Sequence, residues 1–531
     1  MNGTARALMG IRLAKSRCIL RGPYAMIIVG AGAAGLEVAY KAERQLENVT
    51  FEIYEKNDDI GGTWLENRYP GCTCDIPSHS YQWSFWRNPN WSHFYSSSEE
   101  IWQYLKDFAV KNDLEKHVKF RHRVQAARWL EQESVWQVQV RGPDGHVFTS
   151  CAEILVSCHG SLNVWRYPDI PGVHDCQGKL MHSASWDSSF DLGDKTVAVI
   201  GGGSSAVQII PSIQPKVKKL IPYLRSPAWI TAGFGAKYAA PGGVNFAYPD
   251  KQKEGFQNPT ELASYSRDVE GELNKRFTLK PNKERMHLHS TDQKVSREYV
   301  ARDMRQKLGD DLVLTKHLIP DYALGCHRMT PGSDYLQSLR RDNVHVITRS
   351  ATKFTSDGII DDSGKETKGY MSLMADGFPN MFYFIGPNGP ASHGSILPVI
   401  EWPTRYMFKV ISHMQRTSIR SLAPKAEAIH ESYIHTHELL KRTAWSSACS
   451  SWFKNGKKHG PVTAIWPGSR LHWFEALKEP RFEDFEIEYA GNRFSYLGSG
   501  YTFMELDQSA NPVWYFDILA KELEQGVKAF E

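Results

Sequence analysis

Short apolar runs that end at glycine punctuate this chain. Met26-Ile27-Ile28-Val29 is a continuous apolar run stopped by Gly30, the pattern of a strand buried on both faces. A helical stretch from about Ala33 to Gln45 follows, and then a second run, Phe51-Glu52-Ile53-Tyr54. The same order returns farther along: Thr196-Val197-Ala198-Val199-Ile200, a glycine turn, a helix through Ala206-Val207-Gln208-Ile209-Ile210, and the run Lys219-Leu220-Ile221-Pro222-Tyr223-Leu224. Strand, glycine turn, helix and strand, twice over, predict an α/β chain with two Rossmann-like dinucleotide-binding domains. From about Pro241 to Gly309 the pattern turns polar and charged, with helices predicted over Glu261–Phe277 and Val295–Leu308. That segment reads as a helical insertion packed over the second domain. No apolar run reaches the ~20 residues that span a bilayer.

The glycine turns carry the first chemistry. In Gly30-Ala31-Gly32-Ala33-Ala34-Gly35, Gly30 makes the tight turn and Gly32 lets the backbone approach a pyrophosphate. Gly35 allows the helix to pack closely on the strand. Glu55, at the end of the second run, stands where a carboxylate binds ribose hydroxyls. The second turn is Gly201-Gly202-Gly203-Ser204-Ser205-Ala206. After its second strand there is no acid but Arg225-Ser226, a cation and a hydroxyl suited to a 2′-phosphate, so NADPH is expected over NADH. The other reading of Arg225 is a plain surface arginine. Two pyrophosphate turns imply two cofactors that exchange electrons.

Composition narrows the class only a little. At 531 residues the chain is too long for one core. A net charge of +4 gives no argument for nucleic acid. The eight cysteines form no C-x-x-C pair, and Cys72-Thr73-Cys74 lacks a second ligand cluster. No metal site is expected, and free thiols in a reducing, cytoplasmic setting are the default. The first residues carry Arg6, Arg12, Lys15, Arg17 and Arg21 with no acid before Glu37. They read as a disordered leader over 1–24, with a mitochondrial presequence as the alternative.

Longer motifs bring in a family. Gly61-Gly62-Thr63-Trp64, Asn67-Arg68-Tyr69-Pro70-Gly71, and Thr73-Cys74-Asp75-Ile76-Pro77 with Tyr81 resemble flavin-dependent class B monooxygenases. Gly178, His182, Trp186 and Asp187 resemble the long fingerprint of type I Baeyer–Villiger monooxygenases, with Cys176 in place of its aromatic residue. Gly325-Cys326-His327-Arg328, Gly377-Phe378-Pro379-Asn380 and Phe384-Ile385-Gly386-Pro387-Asn388 extend the resemblance. The ending Asn492-Arg493-Phe494-Ser495-Tyr496-Leu497-Gly498 is similar to fungal secondary-metabolism members.

The resemblance implies FAD on a domain that starts at 25–190 and resumes over 369–531, and NADPH on 191–368. It implies a flavin C4a-peroxide, formed from O2, that inserts oxygen beside a ketone to give an ester or lactone. Arg328 matches the active-site arginine that stabilises developing negative charge, and Asp75 matches the carboxylate that orients it. Gly62, Thr63, Trp64, Thr73, Cys74, Asp75 and Tyr81 fall on the FAD side. Gly202, Gly203, Ser204, Ser205, Ala206, Val207, Gln208, Arg225, Ser226, His327 and Arg328 fall on the NADPH side, so Asp75 and Arg328 are expected to bind cofactor as well as to act in catalysis. His182 and Trp186 are expected to hold the linker between domains rather than to act as acid or base. The rival chemistry is N- or S-hydroxylation.

One departure stands out. After Asp357-Gly358-Ile359-Ile360 the family carries a strand ending in an Ala-Thr-Gly-Phe type turn, then several tens of residues before Gly377. Here Lys365-Glu366-Thr367-Lys368 runs almost directly into Gly369-Tyr370-Met371-Ser372-Leu373. The returning strand is missing from the sequence, and an inactive flavoprotein is the second rival.

Overall fold

The computed structural model describes residues 24–160, 163–168, 170, 172–173, 178–275, 288–348, 352–355, 358–361, 373–390, 394–494, 497, 500–501, 505, 511 and 513–525. The leader, Cys176 and the stretch 362–372 lie outside them. The strands in chain order are β1 (Tyr24–Val29), β2 (Val49–Tyr54), β3 (Val118–Lys119), β4 (Arg123–Leu130), β5 (Val135–Arg141), β6 (Val147–Ala152), β7 (Ile154–Ser157), β8 (Thr196–Ile200), β9 (Lys219–Tyr223), β10 (Ile230–Thr231), β11 (Thr330–Pro331), β12 (Thr352–Thr355), β13 (Gly358–Asp361), β14 (Met381–Tyr383), β15 (Ile419–Pro424) and β16 (Phe485–Tyr489).

The first unit is a five-stranded sheet in the order β14-β7-β1-β2-β3, every pair parallel. β1 lies at its centre, with Ile28 opposite Ile53 on one side and Val156 on the other. Met26, Ile27 and Ile28 are at most 1% exposed, which is why the run is apolar throughout rather than alternating. Burial of each such side chain contributes roughly 1.5–3 kcal/mol. The helix Ala33–Gln45 follows and packs against the long helix Ile396–Thr417. Gly35 makes that geometry possible: a Cβ there would lie 2.0 Å from the Gly30 carbonyl oxygen. The antiparallel meander β4-β5-β6 covers the sheet, burying Trp136, Val138 and Val140 with Ile27, Tyr54 and Leu155.

The second unit starts the same way. β8 pairs in parallel with β9, and single parallel bridges join Leu220 to Val344 and Tyr223 to Ile347. The helix Ser204–Ile213 buries Ala206, Val207, Ile209, Ile210 and Ile213 in a core with Leu220, Met304 and Leu336. Beyond β8, however, no further strand is paired among the described residues. Thr196, Ala198 and Ile200 are exposed, and Val197 and Val199 are only half-buried.

The insertion corrects one expectation. It does not sit over the second unit alone. Tyr248, Phe256, Leu262 and Leu273 join the core of the first unit, through the helices Asp250–Phe256 and Pro259–Asn274. The helix Thr291–Lys307 packs Val300, Ala301 and Met304 into the second. The apolar spacing on each helix specifies a buried face but not which core receives it.

Candidate active site between the two units

Both glycine turns feed helix N-termini that are open to an anion. Gly32 precedes Ala33–Gln45 and Gly203 precedes Ser204–Ile213. Neither helix has a side-chain cap or an acidic residue in its first turn. The helix Ser98–Lys111, by contrast, is capped by Ser97 and carries Glu99 and Glu100 there. Uncapped N–H groups and the positive end of the dipole suit a pyrophosphate. Gly62 faces Gly32 so closely that a Cβ on it would lie 3.2 Å from the Gly32 Cα. Glu55, buried at 3% exposure, is fixed by N–H bonds from Ala31 (2.7 Å) and Asn57 (2.8 Å), one to each oxygen. Each oxygen keeps a further lone pair for a ribose hydroxyl. These residues fit FAD.

The loop Trp64–Tyr81 runs from the first unit to the second. The Trp64 indole donates to the Tyr81 hydroxyl at 3.0 Å. Burial pushes the Tyr81 phenol and the Cys74 thiol well up, so both stay neutral. Gly71, with φ +79°, passes so near the helix Ser204–Ile213 that a Cβ would lie 2.8 Å from the Gln208 carbonyl oxygen. Gln208 then ties the units together. Its amide donates to the Thr73 carbonyl and hydroxyl at 2.9 and 3.1 Å, and its oxygen accepts from the Tyr69 hydroxyl at 2.9 Å. Tyr69 lies in the Asn67–Gly71 motif, and its bond to Gln208 is not legible in the sequence.

Arg328 completes the junction. Its guanidinium meets Asp75 at 2.8 and 3.1 Å, and one nitrogen lies 3.5 Å from the Ser204 hydroxyl. Both side chains are partly exposed, so the cation is held in place yet can reach a ligand. One carboxylate from the first unit, one arginine from the loop after the insertion and one hydroxyl from the second glycine turn thus converge at one point.

The remaining predicted residues are placed less tightly. Arg225 and Ser226 are exposed just after β9. β8 and β9 run parallel with Ile200 opposite Tyr223, so the second glycine turn and Arg225 leave the same edge of the sheet. His327 is half-buried beside Arg328. Ser205 and Val207 lie in the first turn of the second helix, Val207 buried. Gly178 is exposed, and Lys179 beside it pairs with Asp187 at 2.6 Å. That hydrogen bond and those from Ser189 hold the Asp187 carboxyl down at about 2. His182 stacks on Trp165, with ring centres 4.7 Å apart, accepts from the Ala184 N–H and is pushed down by burial. Trp186 packs against the core of the second unit. No described contact brings Gly178, His182, Trp186 or Asp187 to Arg328.

Cysteine chemistry needs a second correction. Cys326 and Cys449, 123 residues apart, form a disulfide with a Cα–Cα distance of 6.3 Å. Free thiols throughout were expected because no spacing motif joins these two. The fold, not the local sequence, brings them together. Among the described residues Cys72, Cys74 and Cys158 are free and buried, and Cys151 is free and exposed.

The fold and this junction define an oxidoreductase built on two dinucleotide sites. Comparison with known proteins gives the family. A profile of the NAD(P)-binding Rossmann-like domain matches residues 28–98, and one of L-lysine 6-monooxygenase/L-ornithine 5-monooxygenase matches 84–231. The FAD-binding monooxygenase tazF of Aspergillus terreus is 35% identical, over 92% of this chain and 94% of its own. A Baeyer–Villiger monooxygenase of Streptomyces coelicolor is 31% identical, over 87% of this chain and 92% of its own. Among solved structures, OTEMO in complex with FAD and NADP superposes with a TM-score of 0.71 at 23% identity, over 88% of this chain and 99% of that one. Cyclohexanone monooxygenase from Rhodococcus sp. Phi1 gives 0.72 at 22% identity, over 88% and 100%. The chain belongs to the FAD-dependent monooxygenase family that includes the Baeyer–Villiger enzymes.

Proposed function

We propose that this protein uses NADPH and O2, with bound FAD, to insert oxygen beside a ketone, giving an ester or lactone in secondary metabolism. The observation that carries this reading is the pairing of Arg328 with Asp75 across the two units, 3.5 Å from Ser204. Gly30, Gly32, Gly35, Glu55, Gly62, Thr63, Trp64 and Tyr81 would hold FAD. The second glycine turn, Gln208, Arg225 and Ser226 would hold NADPH, with His327 beside them. Bound flavin supplies the chemistry of oxygen activation. The protein's part is electrostatic. Asp75 fixes the guanidinium, and Arg328 stabilises negative charge as it develops on the substrate oxygen. N-hydroxylation has the second profile in its favour, but that match ends at residue 231 and does not reach the Arg328 loop. Assay of one ketone and one amine separates the two.

Arg328→Ala is expected to keep FAD and to lower oxygenation by about 10²–10³-fold, with hydrogen peroxide released instead. Normal ester formation by that variant removes Arg328 from the mechanism.

A second reading, a flavoprotein without turnover, has its own observation. Among the described residues β8 is paired on one side only, and between Lys368 and Gly377 the sequence lacks the stretch that the resemblance leads one to expect.

A further inference from the structure

The Cys326–Cys449 bond sits two residues from Arg328. Cys326 is fully buried, and Cys449 is 3% exposed. The loop around Cys326 is also tied down by the Tyr322 hydroxyl, which donates to the Pro227 carbonyl at 2.7 Å, and by the Trp229 indole, which donates to the Tyr322 carbonyl at 3.2 Å. The Ala323 N–H donates to the Ser447 hydroxyl at 3.2 Å, and Leu324 exchanges hydrogen bonds with the side chain of Gln293. Cys449 belongs to the C-terminal segment that also contains Ser447 and Lys454, so the bond joins the arginine loop to that segment. Lys454 is 1% exposed. Its ammonium donates to the carbonyls of Ser447 (2.5 Å) and Lys458 (3.1 Å) and lies 3.8 Å from the Cys326 sulfur. Burial pushes it down to about 8.

Lys454 places a buried cation beside the Cys326 sulfur. A positive charge there favours a thiolate, the form that attacks disulfides and peroxides. The reduced state also has a partner ready, because the Ser447 carbonyl lies 3.0 Å from the Cys326 sulfur and can accept from a thiol. Both redox states of Cys326 are therefore accommodated without an unsatisfied group.

We propose that Cys326 and Cys449 form a reversible thiol–disulfide clamp that sets the position of Arg328, with Lys454 tuning its reactivity. Because both sulfurs are buried, the bond opens only when the loop around Cys326 parts from the C-terminal segment and a dithiol attacks one sulfur. The S–S bond breaks, the mixed disulfide is resolved by the second thiol of the reductant, and two cysteine thiols and an oxidised dithiol remain. It closes with hydrogen peroxide. The Cys326 thiolate takes one oxygen from the peroxide to give a sulfenic acid, releasing hydroxide, and the Cys449 sulfur then attacks the Cys326 sulfur and expels that oxygen as water. Overall, two thiols and one peroxide give one disulfide and two waters. Cys326 and Lys454 are positioning residues, because they act through Arg328.

The effect on the coenzyme rests on the proposed function; the covalent pair does not. The test uses the FAD-loaded full chain in two parts. Alkylation with iodoacetamide in denaturant, before and after dithiothreitol, is read by peptide mass spectrometry. Cys326 and Cys449 are expected to be labelled only after reduction, and Cys151 in both samples. Labelling of both before reduction in air-equilibrated protein overturns the clamp. The second part is calorimetric titration with NADP+. The Kd of the wild type is expected to rise several-fold on reduction, while Cys449→Ser and Cys449→Ala show the raised value with or without dithiothreitol. Equal Kd values for the oxidised wild type and for wild type whose Cys326 and Cys449 are shown by labelling to be reduced before titration overturn the link to Arg328. Undetectable NADP+ binding in both states, with the labelling pattern as expected, instead overturns the functional reading, and with it any link through Arg328.

Discussion

β1 and β8 begin the same motif and meet different fates. β1 has strands on both sides and carries three residues at most 1% exposed. β8 has β9 on one side and shows exposed Thr196, Ala198 and Ile200. In the first unit the order is third, second, first, then β7 and β14, strands supplied after the meander and after the excursion through the second unit. In the second unit the order β8-β9-(344–347) repeats the first three. A hairpin, β12–β13, then stands where the first unit has its meander. The residues that come next, Asp362-Ser363-Gly364-Lys365-Glu366-Thr367-Lys368, contain no apolar run. β1 is covered by strands on both sides, whereas β8 depends on β9, on the helices of its unit and on the loop from the first unit.

The third fingerprint position breaks the comparison most severely. Gly35→Ala forces a Cβ to 2.0 Å from the Gly30 oxygen, a clash expected to destabilise the first unit by about 3 kcal/mol. The purified variant should lack the flavin band. The second unit already carries alanine at the matching position, and Ala206→Gly should cost only about 1 kcal/mol, the helix propensity difference. A G35A protein with full flavin content contradicts the packing account.

Ile28→Ala and Ile200→Ala sharpen it. Ile28 is fully buried and Ile200 is 39% exposed. The first should lose about 2–5 kcal/mol and the second about 0.5 kcal/mol, read as a difference in thermal midpoint. Equal losses show that β8 is covered in solution.

Arg225→Ala tests the coenzyme side. Loss of a bond to a charged group, about 1.5–3 kcal/mol, should raise KM for NADPH tenfold or more, about 1.4 kcal/mol per decade, and leave KM for NADH nearly unchanged. Equal effects on both place Arg225 away from the 2′-phosphate.

The smallest effect concerns Glu37, fully buried on the helix after the first glycine turn. Burial pushes its carboxyl up to about 7 from 4.5, despite the Lys41 partner at 2.5 Å. A folded-state value above the unfolded one means that the folded state keeps the proton longer. Stability from this group is complete below 4.5, falls as pH rises to about 7, and is flat above. Glu37→Gln should flatten the thermal midpoint between pH 5 and 8. A variant profile as steep as the wild type assigns the slope to other groups.

Much of this was legible in the sequence where the signal is local. The predicted helix Ala33–Gln45 and strand Thr196–Ile200 agree with the structure residue for residue. Asp75 and Arg328, 253 positions apart, were paired through motif resemblance and lie in contact. What stayed hidden depends on long-range packing. The division of the insertion between two cores, the Tyr69–Gln208 bond and the Cys326–Cys449 bond each join residues with no pattern linking them along the chain. Periodicity and spacing report which face is buried, not its partner.

The absorption spectrum of the purified chain, taken before and after adding NADPH without oxygen, tests the central claim most directly. The account predicts a flavin band near ~450 nm that bleaches on adding NADPH, showing both units loaded and in electronic contact. A band that dithionite bleaches and NADPH does not would contradict it, and would place the failure on the NADPH side.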